Sequence, residues 1–174
     1  MEKVNLRLFR KKVEANKSSL KRFLSRLSKT PPRGLDSIAV AADAEMWKKT
    51  DCLSCANCCK TMSPTYSKRD LLRISTHLGM TPGEFRNKYL RKDRDGDWIN
   101  KTEPCQFLNL QDNKCSIYEV RPADCAGFPH HTKKRVVDYV HVFKQNIEYC
   151  PATYMVVEMM KEKIEAKIKS RLPV

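Results

Sequence analysis

The chain has 174 residues, of which 41% are hydrophobic and 31% charged, and its formal net charge is +14 at pH 7. This length fits one domain with a real core, but the low apolar share indicates that something besides apolar burial helps to hold the fold. The longest apolar run, Ile38–Ala42, excludes a membrane span, and no secretory signal opens the chain. We therefore expect a cytoplasmic protein that makes no contact with a membrane.

The first segment is predicted to be an amphipathic helix. Apolar residues recur at helical spacing from Leu6 to Leu27, and the sequence TPPRG at residues 30–34 breaks the pattern. Residues 1–50 carry 13 Lys and Arg against 5 Asp and Glu. We interpret residues 1–50 as a basic helical arm with its linker.

This arm has two interpretations. In the first, its basic side chains contact RNA, a ribonucleoprotein or an acidic protein. In the second, they form a solvated face while the apolar stripe packs on the core. The candidate contact residues are Arg10, Lys11, Lys17, Lys21 and Arg22.

Further elements are predicted beyond residue 60. Ser67 and Asp70 are spaced as a capping box before an apolar helix, and Thr81 with Pro82 opens another. Short strands are expected at residues 98–100 and 106–108. A final helix is expected over residues 152–172, with Val157, Ile164 and Ile168 on its apolar side.

The eight cysteines are the strongest functional signal. Four lie within DCLSCANCCK at residues 51–60 and four lie downstream. In a reducing cytosol, clustered thiols are more often metal ligands than disulfides. The C-x-x-C spacing lets two thiolates turn onto one ion, whereas adjacent cysteines point apart. The candidate ligands are Cys52, Cys55, Cys58, Cys59, Cys105, Cys115, Cys125 and Cys150.

Eight thiols divide naturally into two sites with four ligands each, so one or two centres are expected. One site would take Cys52, Cys55, Cys58 and one distal cysteine, and the other would take Cys59 with three distal ones. The spacing leaves open which distal cysteine joins the first site. His130 and His131 follow Cys125 closely and are further candidate ligands.

The cysteine pattern resembles a known family. The run C-x-x-C-x-x-C-C at residues 52–59 is followed by P-C, by CSIYEVRPADC with F-P after it, and by C-P. Together these resemble the YkgJ-type cysteine-cluster family, over residues 50–155. The resemblance implies a domain that chelates zinc or iron, without an established reaction.

Four thiolates suit zinc as a structural staple or an iron–sulfur cluster equally well. The sequence thus predicts a zinc- or iron-binding protein, a small cytoplasmic binding module with a basic arm. The alternative is an iron–sulfur oxidoreductase or electron-transfer protein. No catalytic constellation is recognisable, so enzymatic activity stays undecided.

The predicted fold is α+β, mainly helical with few short strands, as a small metal-stabilised domain with helical N- and C-terminal flanks. Its expected parts are the arm at residues 1–50, a cysteine-cluster domain at residues 51–150, and a C-terminal helix at residues 151–174 that packs on that domain.

Overall fold

The computed structural model describes residues 4–170. In chain order, its helices are α1 (Leu6–Lys29), α2 (Leu35–Trp47), α3 (Cys52–Cys55), α4 (Asn57–Thr61), α5 (Lys68–His77), α6 (Pro82–Tyr89), α7 (Ala123–Gly127), α8 (Val136–Asn146) and α9 (Pro151–Lys169), with a short 3₁₀ helix at Tyr118–Val120. The strands are β1 (Leu90–Lys92) and β2 (Trp98–Asn100), which form an antiparallel pair. The predicted class, mainly helical α+β with few short strands, is confirmed.

The described residues form two compact units. The terminal unit consists of residues 4–55 and 129–170, and the central unit consists of residues 56–128. The expected divisions after residues 50 and 150 stay predictions. Between residues 4 and 170, no helix combines the length and the apolar character that crossing a bilayer requires.

The terminal unit is a helical bundle in which α1 packs against α8 and α9, and α2 packs against α9. Asn5 caps α1, its side chain accepting a hydrogen bond from the Leu8 backbone N–H at 3.0 Å. The buried side of α1 faces the bundle, and the Phe9 ring meets the Tyr154 ring edge-on with centroids 5.8 Å apart. Each large apolar side chain removed from water stabilises the unit by about 1.5–3 kcal/mol. The buried residues of α1 are Phe9, Val13, Leu20, Phe23, Leu24 and Leu27.

The predicted C-terminal helix is α9, which begins at Pro151, the favoured first position for proline. It buries Val157 and Ile164 as expected, whereas Ile168 is 55% exposed. The expected end of this helix, Leu172, lies outside the described residues.

In the central unit, two capping boxes start α5 and α6. The Ser67 hydroxyl accepts from the Asp70 N–H while the Asp70 carboxylate accepts from the Ser67 N–H, and Thr81 and Glu84 repeat this exchange. Both helices were predicted from these residues. They pack over one apolar cluster, whose buried members are Tyr66, Leu71, Ile74, Phe85, Leu90, Phe107 and Ile117.

The strand predicted at residues 98–100 is β2, with Asn100 opposite Leu90 in the pair. The prediction of a strand at residues 106–108 was wrong. The backbone there turns back on itself, because the Leu108 N–H donates to the Cys105 carbonyl at 3.0 Å. Leu108 retains one isolated bridge, which pairs it with Cys115.

Candidate metal centre

The cysteines fall in both units. Cys52 and Cys55 bound the short helix α3, and Cys150 precedes α9 in the same unit. The central unit holds the five others, Cys58, Cys59, Cys105, Cys115 and Cys125. All eight are thiols rather than disulfides, so each is chemically available as a ligand once it is deprotonated.

Four thiols of the central unit lie within electrostatic reach of one another. A charge on Cys59 or Cys115 opposes ionisation of Cys105, and a charge on Cys59, Cys105 or Cys115 opposes ionisation of Cys125. Cys59 acts on Cys115 in the same way. Every pair among these four is therefore coupled. We call them the four-thiol cluster, which consists of Cys59, Cys105, Cys115 and Cys125.

Backbone contacts bring the members of the cluster together from distant parts of the chain. The Cys105 N–H donates to the Cys59 carbonyl at 2.8 Å, which ties the loop before Phe107 to α4. Cys105 and Cys115 also pack, partly buried, against the apolar cluster of the central unit. The same core that stabilises the unit thus holds two of its thiols in place.

Cys125 is positioned from α5. The Asp70 carboxylate accepts from the Ala123 N–H at 3.0 Å, and the Arg73 guanidinium donates to the Arg121 carbonyl at 2.8 Å. Both bonds fix the backbone just before Cys125, which lies in α7. The packed helix α5 therefore determines where this thiol lies.

The thiols of the cluster differ in acidity. The Cys58 thiol, as a hydrogen-bond partner, lowers the pKa of Cys59 to about 7, with help from the charge of Lys60. Burial raises the pKa of Cys105, Cys115 and Cys125. Near neutral pH, Cys59 is thus the readiest thiolate, and the other three must lose a proton when they bind a metal.

Cys58 and Cys59 are neighbours in sequence, and their Sγ atoms lie 3.9 Å apart. The sequence predicted that they serve different sites. The electrostatic coupling includes Cys59 in the four-thiol cluster, and Cys58 contacts that cluster through its hydrogen bond with Cys59. Their assignment to separate sites stays a prediction.

In the terminal unit, Cys150 caps α9, its sulfur accepting from the Thr153 N–H at 3.5 Å. Burial raises the pKa of Cys150, and a charge on Cys55 raises it further. These two thiols of the terminal unit are therefore electrostatically coupled.

Both ring nitrogens of His131 have hydrogen-bond partners within the terminal unit. Its Nδ1 lies 2.7 Å from Asp43 Oδ1 and its Nε2 lies 2.9 Å from Thr153 Oγ1. A neutral imidazole that donates to the carboxylate accepts the threonine proton at its other nitrogen. With both nitrogens occupied, His131 would have to give up one of these partners to bind a metal, and its role as a ligand stays a prediction. Sequence reasoning missed Asp43 and Thr153, which carry no local motif.

Within residues 4–170, no group of three or more His, Cys, Asp or Glu side chains is already arranged to hold a metal ion. The four-thiol cluster nevertheless fits such an ion by its chemistry, since four sulfur donors are a ligand set of zinc and of iron–sulfur clusters. Binding would require the thiol side chains to converge.

The five basic residues singled out on α1 fall into two groups. Lys17 pairs with Glu14 at 3.0 Å, and Lys21 pairs with Glu148. Arg10, Lys11 and Arg22 are exposed. The apolar stripe, with Phe9, Val13 and Phe23, is buried in the terminal unit.

Together, the helical fold and the clustered thiols define a small cysteine-rich protein with a candidate metal centre. The sequence model of the CxxCxxCC family, described as "Putative zinc- or iron-chelating domain", matches residues 51–151. The chain belongs to this family, which confirms the resemblance inferred from the cysteine pattern.

One curated relative is the protein of Methanocaldococcus jannaschii named "Uncharacterized protein MJ0661". It is 33% identical over 86 residues, which cover 48% of this chain and 46% of the relative. The match thus spans about half the length of that relative. No solved structure matches the chain.

Proposed function

We propose that the protein is a metal-binding module whose four-thiol cluster holds zinc or iron through four thiolates. The mutual electrostatic coupling of Cys59, Cys105, Cys115 and Cys125 carries this proposal. Family membership supports a zinc or iron ligand set in general terms. The assignment of these four residues to one centre is ours.

The charges around the cluster favour binding of a cation. Mutual repulsion among thiolates disfavours the metal-free ionised state, and a divalent ion would relieve that repulsion. Arg121 offsets part of the repulsion at Cys115, where its charge lowers the thiol pKa against the effect of burial. A bound metal would therefore replace the repulsion among the thiolates with metal–sulfur bonds and stabilise the central unit.

We extend the proposal to the cysteines of the terminal unit as ligands of a second centre. These are Cys52, Cys55 and Cys150. The C-x-x-C spacing and the coupling of Cys55 to Cys150 support this set. A reducing cytoplasm is the compartment that suits eight reduced thiols.

The chemistry of the centre distinguishes two functions. Zinc would act as a structural staple in a small binding module. An iron–sulfur cluster would instead allow electron transfer or an oxidoreductase reaction. We favour the binding module, because no catalytic constellation is recognisable in the sequence.

Anaerobic purification followed by metal and sulfide analysis tests this proposal. We expect zinc or iron in stoichiometric amount, with equimolar sulfide if a cluster is present. Cys115→Ser should lose one centre, whereas Lys114→Ser, a change at the exposed adjacent position, should keep the wild-type content. Equal metal content in both variants would contradict the four-thiol assignment.

We also propose that α1 contacts RNA, a ribonucleoprotein or an acidic protein. The exposure of Arg10, Lys11 and Arg22 supports this role. Lys11 and Arg22 are about three helical turns apart and therefore share one side of α1. Contacts of this kind depend on phosphate or carboxylate charge and weaken as salt rises.

A further inference from the structure

Asn100 is a buried amide at the end of β2, with 2% of its surface exposed. Its Oδ1 accepts a hydrogen bond from the Tyr66 hydroxyl at 2.6 Å and another from Gln106 Nε2 at 3.0 Å. An amide oxygen has two lone pairs, so these two donors use its capacity and set the orientation of the amide. Nδ2 is thereby directed away from both donors.

This nitrogen is a buried donor that lacks a protein partner. Among residues 4–170, no acceptor meets Asn100 Nδ2 with the distance and angle of a hydrogen bond. A buried donor left unpaired costs about 1–3 kcal/mol, and native proteins rarely retain one without a reason. The rest of the side chain is held firmly by Tyr66 and Gln106, so the direction of this donor is fixed.

Cys105 lies beside this amide, because the next residue in the chain, Gln106, donates from its Nε2 to Asn100 Oδ1 at 3.0 Å. Burial raises the pKa of Cys105, and the Asn100 side chain opposes that rise by favouring the thiolate. The Phe107 backbone acts in the same direction. Cys105 belongs to the four-thiol cluster, so the unpaired donor lies beside a proposed metal ligand.

We propose that Asn100 is a positioning residue that donates a hydrogen bond from Nδ2 to the metal-bound sulfur of Cys105. This inference rests on the proposed function of the four-thiol cluster. Four thiolates around one divalent ion leave a charge of −2, which is costly in a half-buried site. An N–H donor disperses part of that charge and fixes the direction of the ligand.

Cobalt(II) is a suitable probe, because thiolate-to-cobalt charge transfer absorbs in the near ultraviolet and reports the electron density on sulfur. The decisive variant is Asn100→Leu, which keeps a similar volume and removes the donor. The thiolate should become more electron-rich, moving the charge-transfer band to longer wavelength. Cobalt affinity should fall by about 10–100-fold, as for other outer-shell partners of metal ligands.

The matched control is Asn87→Leu, the same change at an exposed position of α6, for which we expect the wild-type band and affinity. Tyr66→Phe provides a second test that preserves the ring. It removes one of the two donors that hold Oδ1, so the amide can turn and the band should shift partway in the same direction. This variant decides the question if Asn100→Leu fails to fold by circular dichroism.

The outcomes separate the two proposals. If the wild-type protein shows no thiolate-to-cobalt band, the proposed metal centre is wrong. If wild-type protein shows the band and folded Asn100→Leu has the same band and affinity, the role of Asn100 is overturned. If Asn100→Leu does not fold, a charge-transfer band in Tyr66→Phe that equals the wild-type band overturns the role of Asn100.

Discussion

The Asp70 carboxylate accepts a hydrogen bond from the Ala123 N–H at 3.0 Å, two residues before Cys125. The same carboxylate caps α5 through Ser67 and pairs with Arg73 at 2.6 Å. One buried side chain thus joins the start of a packed helix to the segment that carries a proposed ligand. This contact links the stability of the central unit to the geometry of its candidate metal centre.

Asp70→Asn should destabilise the protein by about 2–3 kcal/mol at pH 7, because charge-assisted hydrogen bonds are lost from a buried position. Burial raises the pKa of Asp70, but its bonds to Ser67, Ala123 and Arg73 outweigh burial and hold the pKa below its ordinary value. The carboxylate therefore contributes stability above about pH 4, and this contribution is lost as the pH falls through the folded-state pKa.

Urea unfolding of wild-type and Asp70→Asn protein at several pH values measures this effect. The difference in unfolding free energy should be largest near neutral pH and shrink in acid. Asp95→Asn, at an exposed turn position, serves as the control and should differ little from wild type. A difference that stays constant down to pH 3 would mean that the ionised carboxylate is not the source of the stability.

The adjacent thiols Cys58 and Cys59 should behave differently when replaced. Cys59→Ser should remove the centre of the four-thiol cluster, whereas Cys58→Ser should retain it. Metal analysis and the visible spectrum of each variant distinguish these results. Identical losses in both variants would indicate one shared polynuclear site.

Removing the metal should lower the stability of the central unit substantially, because the free energy of metal binding is also free energy of folding. A chelator added to reduced protein should lower the melting temperature and reduce the near-ultraviolet circular dichroism. Restoring the metal should recover both signals. Full retention of both signals in verified metal-free protein would rule out a stabilising centre.

The exposed basic residues of α1 allow a matched test of nucleic-acid binding. Replacing Arg10, Lys11 and Arg22 by Gln should weaken RNA and DNA binding alike and flatten the salt dependence by ~0.7–0.9 in log–log slope per lost phosphate contact. Replacing Lys17 and Lys21, which pair within the unit, should have a smaller effect. Binding that is undetectable at low salt would exclude this role.

Sequence motifs predicted those helices whose starts depend on contacts between residues close together in the chain. The capping boxes at Ser67 and Thr81 need only residues three positions apart, and both helices formed as predicted. Helix α2 was not predicted, because the segment Leu35–Trp47 has apolar residues on several sides and lacks a clear amphipathic stripe. Residues 106–108 form a turn instead of the expected strand. The hydrogen bond of this turn is not apparent from the sequence.

The candidate site was predictable in composition but not in grouping. The spacing of the first four cysteines indicates metal ligation, yet Cys59 and Cys125 come together only through the folded central unit. The contact between Asp70 and Ala123, and the orientation of Asn100 by Tyr66, are likewise long-range. Such contacts depend on tertiary packing, which residue spacing alone does not encode.

X-ray absorption at the zinc or iron edge of anaerobically purified protein tests the central claim most directly. We predict a first coordination shell made only of sulfur, at about 2.3 Å for zinc, and a lower absorption edge per protein in Cys115→Ser, because one centre is lost. A shell of oxygen and nitrogen ligands around a stoichiometric metal, or an amount of bound metal that is unchanged in Cys115→Ser, would contradict ligation by the four-thiol cluster.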